Sequence, residues 1–242
     1  MGGRDLEMLT IKQLLTENNE LFYDRSLAWS NALLSEYERM LCDEDCEYFG
    51  IELREDCPTP CRYSRIDHHN DYSYKASSLE QVAQILAVTL NRWQQLVAAN
   101  DSRYIPGMNA LNASAKEIAE VRKADRWAQG VTEEDERLAE ESIQDLNENN
   151  DLIVVYAKCR FFSPIVDRLY PYKKLMIYND KELTYYGEGV ERIIGMFQQE
   201  IELGKAFFGG GKNGFWGISK GAYPKDRIEE IKELIIKLQN EI

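Results

Sequence analysis

The chain has 242 residues, enough for one large domain or two modest ones. A charged fraction of 29% and an apolar fraction of 44% exclude a disordered chain and a fibrous one. Forty-two acidic residues against 29 basic ones give a net charge of −13, which repels the backbone of long duplex nucleic acid and leaves small ligands as the easier partners.

After an amphipathic opening, Leu21-Phe22-Tyr23 reads as a short strand. Ser26 to Leu41 follows as a helix with Leu27, Leu33, Leu34, Tyr37 and Leu41 near one face. Tyr48 to Leu53 and Arg62 to Ile66 are the next strands, separated by a loop with Pro58 and Pro60. Ser77-Ser78-Leu79-Glu80 is a capping box opening a helix to about Leu90, Asn91 with Gln94 begins another, and Ser114 with Glu117 a third. The acidic stretch from Thr132 to Asn150 suits a solvated helix between domains, which puts the boundary at Asn149-Asn150. Beyond it, Leu152 to Tyr156, Leu175 to Tyr178 and Leu183 to Tyr186 are β-type runs, and helix returns at Val190 to Leu203. A glycine-rich stretch, Gly209-Gly210-Gly211-Lys212-Asn213-Gly214, then leads to Phe215-Trp216-Gly217-Ile218 and a final amphipathic helix opened by Pro224. The expected class is α/β: a mostly parallel sheet in residues 1–149 and a smaller mixed α/β domain in 150–242.

No stretch approaches the ~18 consecutive apolar residues of a membrane span, and Met1-Gly2-Gly3-Arg4-Asp5 lacks the apolar core of a secretory signal, so a cytoplasmic protein without a membrane partner is expected. Five cysteines then read as reduced thiols or metal ligands. Cys42-x3-Cys46 and Cys57-x3-Cys61 form a paired spacing that could hold zinc, with unpaired thiols as the alternative.

The chain has only two histidines, adjacent and directly after an aspartate at the expected carboxyl end of a strand: Asp67-His68-His69. Ligands of open α/β sheets bind outside the strand carboxyl ends, and mixed carboxylate and imidazole donors suit Mn²⁺, Mg²⁺, Fe²⁺ or Zn²⁺. A polar loop with incidental histidines is the alternative reading. About thirty residues on, Leu96-Val97-Ala98-Ala99 runs into Asn100-Asp101, where Asp101 could equally end a helix in an Asx turn.

A strand, Asp-His-His, a Ser-Ser-capped helix and an Ala-Ala-x-Asp turn together resemble the DHH phosphoesterase superfamily, which includes family II pyrophosphatases, oligoribonucleases and single-strand exonucleases. The resemblance covers most of the chain in element order and the segment from Ile66 to Asp101 in specific residues. It implies that Asp67, His68, His69 and Asp101 converge on one divalent cation, Mn²⁺ first, with Mg²⁺ or Zn²⁺ as alternatives. At the family's amino-terminal ligand cluster this sequence has Tyr23-Asp24-Arg25-Ser26, so only Asp24 stands as a further ligand and Arg25 puts a cation nearby. Glu52, Glu55 and Asp56 are equal candidates for a lone acidic ligand on the next strand. The carboxy-terminal part resembles the DHH-associated domain, whose glycine loop matches Gly209, Gly210 and Gly211, with Lys212 and Asn213 in place of the usual histidine. The alternative is a glycine-rich β-turn. Phe161, Phe162, Phe207, Phe208, Phe215 and Trp216 could stack a base there or pack in a core.

The resemblance thus implies a metal-dependent phosphohydrolase or phosphodiesterase acting on a short oligonucleotide, a nucleotide or pyrophosphate in a cleft between the domains. His68 or His69 would serve catalysis, and a homodimer is left open. The rival is a degenerate member that has lost its amino-terminal carboxylates and binds a nucleotide or a partner.

Overall fold

The structure, a computed structural model, describes residues 1–210 and 213–240. It is mixed α/β and divides into two compact units, Met1–Gly130 and Val131–Ile242.

The first unit opens with α1 (Leu6–Glu17), whose N-cap Asp5 accepts a hydrogen bond from the Met8 amide at 2.8 Å. Two short strands, β1 (Tyr48–Ile51) and β2 (Tyr63–Ile66), pair in parallel with Ile51 opposite Ile66. A parallel bridge between Leu33 and Arg54 and a bond from the Gly2 amide to the Ile51 carbonyl extend this edge. Among the described residues, the sheet expected to be mostly parallel here is a two-stranded parallel one. The helices α2 (Ser78–Ile85), α3 (Arg92–Ala110) and α4 (Ala115–Ala128) follow, each opened by the capping box read from the sequence. α1 packs on all three and buries Ile11, Leu14, Leu79, Val82, Leu96, Val97 and Val121. At ~1.5 to 3 kcal/mol for each fully buried aliphatic side chain, these contacts fix α1 against the rest of the unit.

The segment from Leu21 to Leu41 departs from its expected strand and helix. Leu21 is 82% exposed, no strand forms at Leu21 to Tyr23, and Ser26 to Leu41 contains two 3₁₀ turns, Trp29–Asn31 and Leu34–Met40. Ser26 has φ +52°, outside the helical region, and its amide is claimed by the Asp24 carboxylate at 2.7 Å, so no helix nucleates there. Leu34, Tyr37 and Leu53 form a small local core instead.

The second unit holds α5 (Glu133–Gln144), β3 (Asn147–Asn149), β4 (Leu152–Tyr156), α6 (Ser163–Leu169), β5 (Lys174–Tyr178), β6 (Leu183–Gly187), α7 (Val190–Met196), α8 (Gln198–Glu202), β7 (Ala206–Gly209), β8 (Phe215–Ile218) and α9 (Lys225–Asn240). Its six strands run in the order β3-β4-β5-β6-β8-β7, with β4 and β5 parallel and every other pair antiparallel. The Asn149-Asn150 boundary read from the sequence therefore falls inside this unit. Asn150 and Asp151 have φ of +50° and +65°, which makes them the two-residue turn of the β3-β4 hairpin. The acidic helix α5 also belongs to this unit: it packs on α6 and β4, and Asp135 and Ser142 accept the backbone amides of Arg160 and Lys158.

Trp216 is fully buried and stacks on Phe197 at 4.6 Å, and Phe162 is buried as well, so these two aromatics are core and not base-stacking surface. Phe207 and Phe208 on β7 are exposed. Among the described residues, no helix is long and apolar enough to cross a membrane.

Candidate metal centre

The ligand atoms of Glu52, His68, His69 and Asp101 lie within 4.8 Å of one another. Each comes from a different local device. Glu52 follows β1 with φ +49°, an uncommon conformation for a non-glycine residue, and is buried. His68 and His69 leave the end of β2. Asp101 sits in α3 directly ahead of a break at Arg103 (φ −146°) and Tyr104 (φ +54°, ψ −149°). Pro106, which has no amide hydrogen to continue the helix, explains the break.

His68 is the centre of the cluster. Its Nε2 is 2.6 Å from Asp101 Oδ2, 3.4 Å from Glu52 Oε1 and 3.5 Å from Glu7 Oε2. Burial by itself lowers the affinity of His68 for a proton, but the Asp101, Glu52 and Glu7 carboxylates outweigh it and push the pKa up to about 12. His69 is half-exposed. Its Nδ1 lies 3.3 Å from Asp67 Oδ1 and 3.8 Å from Glu52 Oε1, and the Asp67 contact holds its pKa above the usual histidine value.

The start of α2 supports the cluster. Ser78 Oγ donates to Glu52 Oε1 at 2.6 Å, the Leu79 amide to Glu7 Oε1 at 2.9 Å, and Gln81 Nε2 to the Asp67 carbonyl at 3.1 Å. The Ser-Ser helix start noted in the sequence thus orients acidic groups on two other segments. A cavity of about 460 Å³ adjoins the cluster and is lined by Trp29, Arg54, Arg65, Asp67, His69 and Tyr72 among others.

Glu52, His68, His69 and Asp101 fit a divalent cation: Glu52 Oε2, His68 Nε2 and Asp101 Oδ2 are buried without a well-aligned hydrogen-bond partner, and carboxylate with imidazole is a donor set such ions accept. The other acidic residues singled out in the sequence are engaged by neighbouring groups. Asp67 is beside the converging atoms, not among them, because its Oδ1 accepts the His69 amide at 2.9 Å. Asp24 is drawn off by Lys12 at 2.9 Å, and Arg25 pairs with Glu36. Of the three acidic candidates, which all follow β1, Glu52 enters the cluster, Glu55 pairs with Arg65, and Asp56 accepts from Ser35. The converging groups among the described residues contain no cysteine, and Cys42, Cys46, Cys57 and Cys61 are free thiols. Their zinc site is not formed.

In the second unit, Gly209 ends β7 and Gly210 has φ +77° on the way to β8. A side chain on Gly209 would meet the Phe215 ring at 2.8 Å, so this glycine has a packing reason of its own. Asn213 has φ +58°, while Gly211 and Lys212 lie outside the described residues.

Glu7 was not singled out in the sequence. A signal was present: Glu7 stands four and seven residues before Ile11 and Leu14, both buried, and so shares their apolar stripe.

No family model matches this sequence, and no curated protein does. Among solved structures, the chain is similar to an exopolyphosphatase-related protein from Bacteroides fragilis, with a TM-score of 0.51 and 10% identity over 96% of this chain and 87% of that one. The likeness is one of fold. A pGpG-specific phosphodiesterase from Vibrio cholerae matches with a TM-score of 0.48 and 13% identity, over 99% of this chain and 97% of that one.

Proposed function

We propose that the chain is a metal-dependent phosphoesterase of the DHH type, which hydrolyses a small phosphorylated substrate such as a short oligonucleotide, a nucleotide or pyrophosphate. The observation that carries this reading is the convergence of Glu52, His68, His69 and Asp101 within 4.8 Å. The fold likeness to an exopolyphosphatase-related protein supports it.

Glu52, His68, His69 and Asp101 hold the cation, with Mn²⁺ as the first candidate and Mg²⁺ or Zn²⁺ as alternatives. A divalent cation held by these groups supplies Lewis-acid polarisation of a phosphoryl oxygen and makes a nearby water more acidic. Asp67 steadies the ring of His69 through Nδ1, which also faces Glu52 Oε1 at 3.8 Å, so His69 can serve as a ligand or move a proton at the leaving group. The adjoining cavity, about 460 Å³, is within the range usual for small-ligand sites, and Arg54 on its wall offers charge to a phosphate, while Arg65 beside it is paired with Glu55. Gly209, Gly210, Gly211, Lys212 and Asn213 remain the proposed phosphate contacts of the second unit. The five unpaired cysteines accord with the cytoplasmic setting proposed from the sequence.

The test is an assay with Mn²⁺, Mg²⁺ or Zn²⁺ added to chelator-stripped protein, with pyrophosphate, short polyphosphate, linear dinucleotides and cyclic dinucleotides as substrates. Metal-dependent release of product, lost in Asp101→Asn, is expected. One observation favours the binding-protein reading: the amino-terminal position contributes no ligand, since Asp24 is committed to Lys12. All substrates left intact, together with thermal stabilisation by one nucleotide, would replace the enzyme with a binder.

A further inference from the structure

On His68 and the three carboxylates it faces, four buried side-chain atoms lack a well-aligned hydrogen-bond partner, namely Glu7 Oε2, Glu52 Oε2, His68 Nε2 and Asp101 Oδ2, and Nε2 lies 3.5 Å from Glu7 Oε2 and 2.6 Å from Asp101 Oδ2. Three belong to residues already assigned to the cation. The fourth belongs to α1, a helix that contributes nothing to the Asp-His-His pattern.

We infer that Glu7 is a further ligand of the divalent cation, supplied by α1 where the amino-terminal segment around Asp24 supplies none. The inference rests on the metal site proposed above.

Three observations carry it. The Glu7 side chain is wholly buried, at 0% exposure, although an ionised carboxylate is among the most costly groups to bury without a compensating charge. Its two oxygens are divided between tasks. Oε1 accepts the Leu79 amide at 2.9 Å, which fixes the plane of the carboxylate, and Oε2 lies 3.5 Å from His68 Nε2 in the cluster. Finally, the His68 imidazole beside Glu7 Oε2 also faces Glu52 and Asp101, and the His69 imidazole faces Glu52 and Asp67, so two positive charges at most stand against four carboxylates. A divalent cation supplies the charge this arrangement lacks. Asp24, by contrast, already has Lys12 and the Ser26 amide.

A purely structural role for Glu7, as acceptor for the α2 amide, makes a different prediction from a ligand role. Glu7→Gln keeps the volume and the Oε1 acceptor but removes the charge. The experiment measures Mn²⁺ affinity and stoichiometry by electron paramagnetic resonance on full-length chain stripped with chelator, together with melting temperature without metal. For a ligand, Glu7→Gln weakens Mn²⁺ by more than the ~10- to 100-fold usual for an outer-shell partner. Its metal-free melting temperature holds or rises, because a buried like charge has gone. Asp24→Asn leaves the affinity unchanged. Equal Mn²⁺ affinity in wild type and Glu7→Gln overturns the inference and leaves the metal site intact. A wild type that binds none of Mn²⁺, Mg²⁺ or Zn²⁺ overturns the inference and the metal site together. Should Glu7→Gln fail to fold, Glu7→Asp, with the same charge on a stem one methylene shorter, gives the same reading: weakened Mn²⁺ supports the ligand role and unchanged Mn²⁺ overturns it.

Discussion

In the metal-free protein His68 is the cation of its own cluster, and replacing it with glutamine should expose how strongly the surrounding carboxylates depend on it. At an effective dielectric constant of ~20, unit charges about 3.5 Å apart interact by roughly 5 kcal/mol, and His68 Nε2 has carboxylate oxygens at 2.6, 3.4 and 3.5 Å. Desolvation cancels much of that attraction, so the expected loss is the ~3 to 5 kcal/mol usual when one partner of a buried ion pair is removed. In a unit spanning Met1–Gly130 this corresponds to a fall of roughly 10 to 20 °C in melting temperature. Thermal melts followed by circular dichroism in excess chelator at pH 7.5 measure it. The deficit should shrink as the pH falls: burial, with the charges of Asp101 and Glu52, raises the Glu7 pKa well above normal, so Glu7 becomes neutral before an ordinary glutamate would. A His68→Gln protein that melts within ~3 °C of wild type at pH 7.5 would show that the carboxylates are already neutral or solvated, and the electrostatic account of the cluster would fail.

Ser78→Ala removes the hydroxyl that donates to Glu52 Oε1, so Mn²⁺ affinity should drop by ~10- to 100-fold while the helix and its Ser77 cap remain; an unchanged affinity in an Mn²⁺ titration would mean that Glu52 is not held for the cation by Ser78. Asp5 gives a pH prediction of definite sign. Burial, reinforced by the charge of Asp101, raises its folded pKa from 3.8 to about 8, so the folded state keeps a proton that the unfolded chain releases. The stability contributed by this proton is present below about pH 4 and is lost as the pH rises through 8. Asp5→Asn, which still caps α1, should therefore match wild type near pH 4 and exceed it at pH 8 by on the order of 2 to 5 kcal/mol in urea titrations with chelator present; equal pH profiles would place Asp5 in water.

Local patterns were the legible part of this molecule. Three capping boxes, at Ser77 with Glu80, Asn91 with Gln94 and Ser114 with Glu117, are made by residues three apart and read directly from the sequence. The adjacent histidines were legible from their place at the end of a strand, whereas Asp101, which lies inside α3, was reached only through the family resemblance. The fold of Leu21 to Leu41 was not, because its partners are remote: Leu33 bridges to Arg54, and the Tyr37 hydroxyl donates to the Met1 carbonyl. Asn149-Asn150 misled in the opposite direction. Polar residues suited to a linker are also those that tolerate φ above zero, and here they turn a hairpin. Choosing Glu52 over Glu55 and Asp56 required knowing that Arg65 and Ser35 occupy the other two. Glu7 was the hardest to see, since the Leu79 amide that fixes it is 72 residues away.

Whether Glu52, His68, His69 and Asp101 hold a divalent cation is answered by anomalous X-ray diffraction from crystals grown with Mn²⁺. The proposed site gives one strong anomalous peak within ~2.0 to 2.3 Å of donor atoms from these residues, absent in crystals of Asp101→Asn. Crystals of wild type with saturating Mn²⁺ and no anomalous density among these four side chains would contradict it.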